Sequence, residues 1–274
     1  MSGSATLKRV VREGVKHASK LADKLSPPPT GLTFLIYHRV GHGAGGQMDI
    51  SPPTFTAQMD YLANNGRVIS LDTALKELAG GEALVPGHVL TFDDGTDDWA
   101  EIVAPVLVDR QLPATFYVAT EFIDQQQPFA HGGRPISWSG LRELRDSGIA
   151  TIGSHTHRHL LLDRLPPAEI AEELDTSIDR LSAELQISVD HFCYPKAVPP
   201  SVVADRAVRS RFSSATLAGT RTNQLGSDPF SLSRSPIQAA DQFKWFHLKA
   251  HGGLGLEDRS RQRLNQFRYR NERA

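Results

Sequence analysis

"VLTFDDGTDD", residues 89–98, is a run of β-prone residues that ends in adjacent carboxylates and a glycine. With His88 in front, HVLTF reads as a strand buried on both faces, the pattern of a parallel sheet. Asp93 and Asp94 stand where that strand meets its loop. In parallel α/β folds, sites gather at such strand ends. Two like charges side by side need a compensating cation, or one takes up a proton. Asp-Asp-Gly is also ordinary turn chemistry, so this stretch alone leaves both a turn and a site open. An EF-hand calcium loop is excluded, because its alternating acidic spacing and closing glutamate are missing.

Outward from this strand the pattern alternates. LTFLIY (32–37), ATFYVA (114–119), IATIGS (149–154), HFCYP (191–195) and FSSATLAG (212–219) read as further strands. Residues 53–65, 71–79, 97–110, 138–147, 166–186 and 200–209 carry helical spacing, as does KWFHLKAHGG (244–253). Strands alternating with helices predict a parallel sheet covered by helices, and the number of units suits a barrel.

The chain has 274 residues and a net charge of -1, which argues against a protein that coats nucleic acid. Cys193 is its one cysteine, so no intrachain disulfide forms. No apolar run is long enough to span a bilayer, and no secretory leader pattern is present. A cytoplasmic protein is expected. Residues 1–31 read as a basic amphipathic helix and a proline-rich linker. Between residues 5 and 25, Leu7, Val10, Val11, Val15, Ala18, Leu21, Ala22 and Leu25 recur at helical spacing among Lys8, Arg9, Arg12, Lys16, Lys20 and Lys24. Such a helix either lies on an anionic membrane or packs on the domain with its basic face in water. Residues 32–254 form the main domain, and 255–274 an arginine-rich tail. Peripheral contact with the inner membrane face is expected through residues 5–25 and 259–273.

A second polar cluster, TIGSHTHRH, places His155, His157 and His159 directly after another strand. One histidine is usually structural, but three within five residues at a strand end form a metal-ligand pattern. If the chain turns into a helix there, His155 and His159 share a face and His157 points elsewhere. Two imidazoles and one aspartate leave a coordination position for water, the layout of a catalytic metal site. The spare aspartate is then available as general base.

TFDDG followed by SHTHRH, with FCYP beyond, resembles the polysaccharide deacetylase family, the NodB-like carbohydrate esterases, over roughly residues 32–245. The resemblance runs toward its exopolysaccharide or biofilm-type subgroup. It implies a distorted (β/α)7 barrel and metal-assisted hydrolysis of an N-acetyl group on a glycan. Asp93 is then the catalytic base, and Asp94, His155 and His159 hold a divalent metal. Zinc suits that donor set, as do cobalt, nickel or iron. The family motif matching FCYPKA assigns the oxyanion N–H to Lys196, beside Tyr194 and Pro195. Lys196 and Ala197 stand where many members have tyrosine and glycine, which changes the pocket wall. Cys193 stands where many carry an arginine oriented on the base. Arg234, in LSRSP, looks like its replacement, or is a surface arginine at a strand end.

For the general acid, His38 in FLIYHRV matches an element of the biofilm-type subgroup, while His247 and His251 are rivals near the domain's end. Trp138 is read as a surface for stacking a sugar, or as a core or lid aromatic. An N-acetylated glycan, free or as a nucleotide- or lipid-linked precursor, is the expected substrate. Two other functions stay open: a glycan-binding module with little turnover, and an esterase for O-acetyl groups. A His-x-His pair also occurs in amidohydrolase barrels, but there it follows the first strand rather than lying past the midpoint.

Overall fold

The computed structural model describes residues 2–41, 46–80, 83–129 and 132–268. The apolar runs pair in parallel and in chain order: β1 (Leu32–Tyr37), β2 (Gly87–Asp94), β3 (Ala114–Val118), β4 (Ala150–Ser154), β5 (His191–Cys193), β6 (Ser214–Ala218) and β7 (Leu232–Pro236). β7 returns to β1, with Phe34 opposite Arg234, and closes a seven-stranded barrel. The predicted barrel is therefore present. β4 and β5 pair only through Ser154 and Phe192, so the barrel is uneven there. β7 was not legible as a strand because LSRSP is mostly polar, yet Ser233, Arg234 and Ser235 are all buried. The Asn223 side chain bonds both the N–H and the C=O of Ser233, fixing this strand's register.

Strand alternation sorts side chains into two layers. Phe34, Val89, Tyr117, Cys193 and Leu232 turn to the interior, where Leu71, Ala74 and Leu78 join them. These three come from α3 (Leu71–Ala79), which plugs the end of the barrel where the strands begin. Leu35, Leu90, Phe92, Phe116, Val118 and Phe192 turn outward against the helical layer. That layer includes α2 (Pro52–Asn65), α4 (Ala104–Asp109), α5 (Thr120–Gln125), α6 (Trp138–Asp146), α7 (Pro167–Leu185), α8 (Val202–Arg209) and α9 (Phe243–Ala250). Ser51, Ser70, Ser137 and Ser201 cap α2, α3, α6 and α8 by accepting from backbone N–H groups three residues on. The predicted helix over 97–110 begins as a π-helical turn, Trp99–Val103, before α4.

α1 (Ser2–Leu25) packs on the barrel beside α10 (Gly255–Arg268). The expectation that a packed α1 keeps its basic face in water is corrected in one respect: part of its polar side is what docks. Lys16 is buried and ion-pairs with Asp241, which also takes Lys249 at 2.8 Å. Glu13 accepts from the Trp245 indole, and the Ser19 hydroxyl accepts from Leu256 N–H. Among the described residues no helix is long and apolar enough to cross a membrane.

Asp241 is buried between two lysines. Burial alone would raise its pKa, but Lys249 and Lys16 hold it below the ordinary value. Its carboxylate therefore contributes stability above the usual carboxylate range, and that contribution is lost as pH falls through the depressed value. Asp241→Ala leaves two buried ammonium groups with only the more distant Glu257, at 3.7 and 3.8 Å, as a carboxylate partner, and should cost about 3 kcal/mol at neutral pH. Urea unfolding of wild type and variant checks this, and their difference should shrink in acid.

Candidate active site

The site lies at the C-terminal mouth of the barrel, and the strand alternation of β2 builds half of it. Thr91 and Asp93 share the inward face with Val89. Arg234, on β7, reaches them from the same interior and donates to Asp93 Oδ1 at 2.7 Å, Asp93 Oδ2 at 2.8 Å and Thr91 Oγ1 at 2.9 Å. Arg234 is 0% exposed, which excludes the surface-arginine reading. Burial alone would raise the Asp93 pKa. The Arg234 charge and hydrogen bonds hold it far below the usual carboxylate range. Asp93 is therefore ionised at any working pH.

Asp94 would face outward by alternation. Its φ of 89° breaks the pattern and turns the carboxylate into the mouth, and Gly95 follows at φ 114°. There Asp94 Oδ1 lies 3.6 Å from His155 Nε2 and 3.5 Å from His159 Nε2. Ligand atoms about 2.0 Å from one tetrahedral zinc stand roughly 3.3 Å apart, so this triad fits a divalent ion. His155 Nδ1–H donates to the Cys193 carbonyl at 2.8 Å, which leaves the Nε2 lone pair toward the mouth. Burial pushes the His155 pKa down. Burial and then the neighbouring His155 push His159 down to about 4. Both rings are thus neutral, the form that ligates metal.

A second grouping, Asp93, His155 and Cys193, also has its ligand atoms within 4.8 Å of one another. It suits a metal less well. Both Asp93 oxygens are engaged by Arg234, and burial keeps the Cys193 thiol protonated. Cys193 instead packs against the ion pair, accepting from Arg234 at 2.8 Å with its thiol 3.5 Å from Asp93. Thr91 is the partner that the sequence did not single out, while Cys193, standing where many members carry an arginine, lies against the ion pair. For Thr91 the signal was present, since it lies two residues before Asp93 on the same strand face.

The histidines meet by a route other than the predicted helical turn. Residues 155–159 form a loop in which Thr156 and His159 take left-handed φ values of 66° and 60°. Thr156 Oγ1 accepts from His159 N–H, and Glu173 on α7 accepts from Arg158 N–H. His157 turns away to Thr120 Oγ1 at 2.8 Å. It takes no part in the triad.

The other named residues divide. His38 follows β1, and its carbonyl accepts from the Trp99 indole at 2.9 Å. Its ring nitrogen Nδ1 is buried without a hydrogen-bond partner among the described residues, so the ring is not spent on holding the strand end. His247 and His251 lie at the opposite end. The His251 ring sits 5.9 Å from that of His88, at the start of β2, and six residues of strand separate His88 from Asp94, about 20 Å. That removes both as general acids. Tyr194 and Pro195 are buried, and they shape the turn that presents exposed Lys196 at φ 54°. Lys196 lies near enough to His159 for its charge to lower that histidine's pKa. Trp138 sits outside this cluster: its indole donates to Asp124, and the Arg180 guanidinium stacks over its ring. Of the two readings of Trp138, these contacts match the packed aromatic.

Carboxylate and imidazole donors at a barrel mouth, beside an ionised aspartate, are the equipment of a hydrolase. Residues 85–212 match the family model described as polysaccharide deacetylase. IcaB from Ammonifex degensii is similar at 26% identity and a TM-score of 0.72, over 82% of this chain and 98% of that one. Two further structures share the fold. PplD, a deacetylase of Streptococcus pyogenes solved with acetate, has 21% identity and a TM-score of 0.68, over 77% and 94% of the two chains. A de-N-acetylase of Aggregatibacter actinomycetemcomitans has 20% identity and a TM-score of 0.67, over 80% and 99%. No curated protein matches the sequence.

Asp94→Ala should lower zinc affinity by more than about a hundredfold while leaving the fold intact, because it removes the one anionic donor from an open part of the site. Asp93→Asn should retain most of the affinity. Equilibrium dialysis against zinc separates the two variants.

Proposed function

We propose that this protein is a metal-dependent hydrolase that removes N-acetyl groups from a sugar of a polysaccharide, oligosaccharide or glycan precursor. The observation that carries the reading is the pairing of two arrangements at one barrel mouth. One is an Asp-His-His triad spaced for a metal, and the other is an aspartate kept ionised by a buried arginine.

Asp94, His155 and His159 would hold the ion. When bound, a divalent metal there supplies Lewis acidity, acidifying a water and polarising the acetyl carbonyl. Asp93 is the base that accepts the proton as water attacks. The Arg234 charge keeps it ionised and so able to accept that proton. Arg234 fixes its orientation through both oxygens. The Lys196 N–H donates to the developing oxyanion; the turn that carries it follows β5 and brings Lys196 close to His159. His38 protonates the departing nitrogen, the C–N bond breaks, and acetate and a free amine leave. The unpartnered buried Nδ1 supports that role, since a ring with no structural bond is available for proton transfer.

Acetate release from a panel of N- and O-acetylated saccharides, free and lipid-linked, with and without added zinc, tests the reading. Wild type should release acetate from an N-acetylated member in a zinc-dependent way. Asp93→Asn should lower kcat about 10²- to 10⁴-fold. No release from any member would favour a glycan-binding module instead.

His38→Ala separates amide from ester chemistry. An amine leaves poorly without a proton, whereas an alkoxide leaves more readily. The variant should therefore lose about 10²-fold or more of its amide cleavage and keep most of any esterase activity. Equal losses on both substrates would remove His38 from the role of acid.

A further inference from the structure

α1 docks with the opposite face from the one an amphipathic helix usually buries. Lys16 and Ser19 are its buried residues among the described side chains. Its two acids also turn inward: Glu13 accepts from the Trp245 indole, and Asp23 accepts from Leu254 N–H at 2.6 Å. At ~100° per residue, Val10, Val11, Ala18, Leu21 and Leu25 fall within an arc of about 100° whose centre lies roughly opposite Lys16. Val10 is 60% exposed, Val11 57%, Leu21 61% and Leu25 84%. Among the described side chains of the helix, the exposed charged ones are Arg12, Lys20 and Lys24, all of them cations.

We infer that this stripe is a docking face for an anionic lipid bilayer. An aliphatic stripe on a helix whose outward charges are all positive has the chemistry of an interfacial helix. A second copy of the chain fits it less well, because the described side chains of the helix include no exposed acid to meet the cations of another copy. Arg259 and Arg263 on the neighbouring α10 are exposed as well and add to the positive charge. Residues 269–273 of the expected tail contact lie outside the described residues.

The orientation follows from the helix's own contacts. Asp23 meets Leu254 and Thr222 meets Pro29, near the start of β1, while Lys16 meets Asp241 just beyond the end of β7. α1 therefore runs from the mouth end toward the plugged end. Contact along its stripe lays the barrel on its side, with the mouth opening along the bilayer surface.

Deleting the helix would also strip Lys16 from Asp241, so the test uses substitutions on the stripe. The full chain and a Val11→Glu, Leu21→Glu double variant are sedimented with vesicles of equal parts phosphatidylglycerol and phosphatidylcholine, and with phosphatidylcholine alone. Wild type should partition to the anionic vesicles, less so at high salt, and the double variant should bind them about tenfold less or worse. Circular dichroism and acetate release from a soluble substrate should be unchanged, since neither position touches the barrel interior. This readout is independent of whether the deacetylase reading holds. Equal binding by both proteins, or no binding by wild type, overturns the inference. So does a wild-type dimer in light scattering that the double variant abolishes, which would assign the stripe to a second copy.

Discussion

The buried pair between Asp93 and Arg234 is the interaction on which the mouth of this barrel depends. Its partners lie 141 residues apart and meet only because β7 closes onto β1. A guanidinium and a carboxylate taken out of water are costly unless both are fully bonded, and here both carboxylate oxygens are used. The consequence for the site is a division between neighbours. Arg234 satisfies the charge of Asp93, so Asp94 is left to face the two imidazoles. Repulsion between adjacent aspartates is relieved by giving each a different cationic counterpart, one built into the protein and one expected from solution.

The same stretch assigns its other two aspartates to structure. Asp97 pairs with Arg134 at 2.8 Å, and Asp98 accepts from Val40 N–H at 2.7 Å. Together with the Trp99 bond to the His38 carbonyl, these ties pin the segment after β1 against the segment after β2. Backbone strain is concentrated around this region. Asp94, Thr156, His159 and Lys196 all take positive φ without being glycine. At Asp94 and His159 this backbone accompanies ligand atoms that converge on one point at the mouth. Packing around them holds that strain, as when Glu173 bonds Arg158 N–H within the histidine loop.

The outer surface of α1 shows where pattern reading is least informative. A periodic stripe of valine and leucine identifies a helix and its two faces. It does not say which face docks, because that depends on what the docking surface offers. Here the surface offers Asp241, Trp245 and three backbone N–H groups, and the helix answers with Lys16, Glu13, Asp23 and Ser19. None of these partners is near α1 in the chain.

The sequence by itself determined the alternation of strands and helices, the placement of Asp93, Asp94, His155 and His159 at strand ends, and the family motifs. Those properties are local, written in periodicities of two and 3.6 and in short runs of polar residues. Tertiary structure decided what required distant partners or unusual backbone. It made LSRSP a barrel strand although its residues are mostly polar, because closure buries it whatever its composition. It took Arg234 from a choice between surface and core to the partner of Asp93, and it carried His247 and His251 to the far end. It brought His155 and His159 together through left-handed residues rather than a helical turn, and it chose which face of α1 meets the barrel. In each case the deciding energy lies in contacts between segments far apart in the chain, and no local pattern records them.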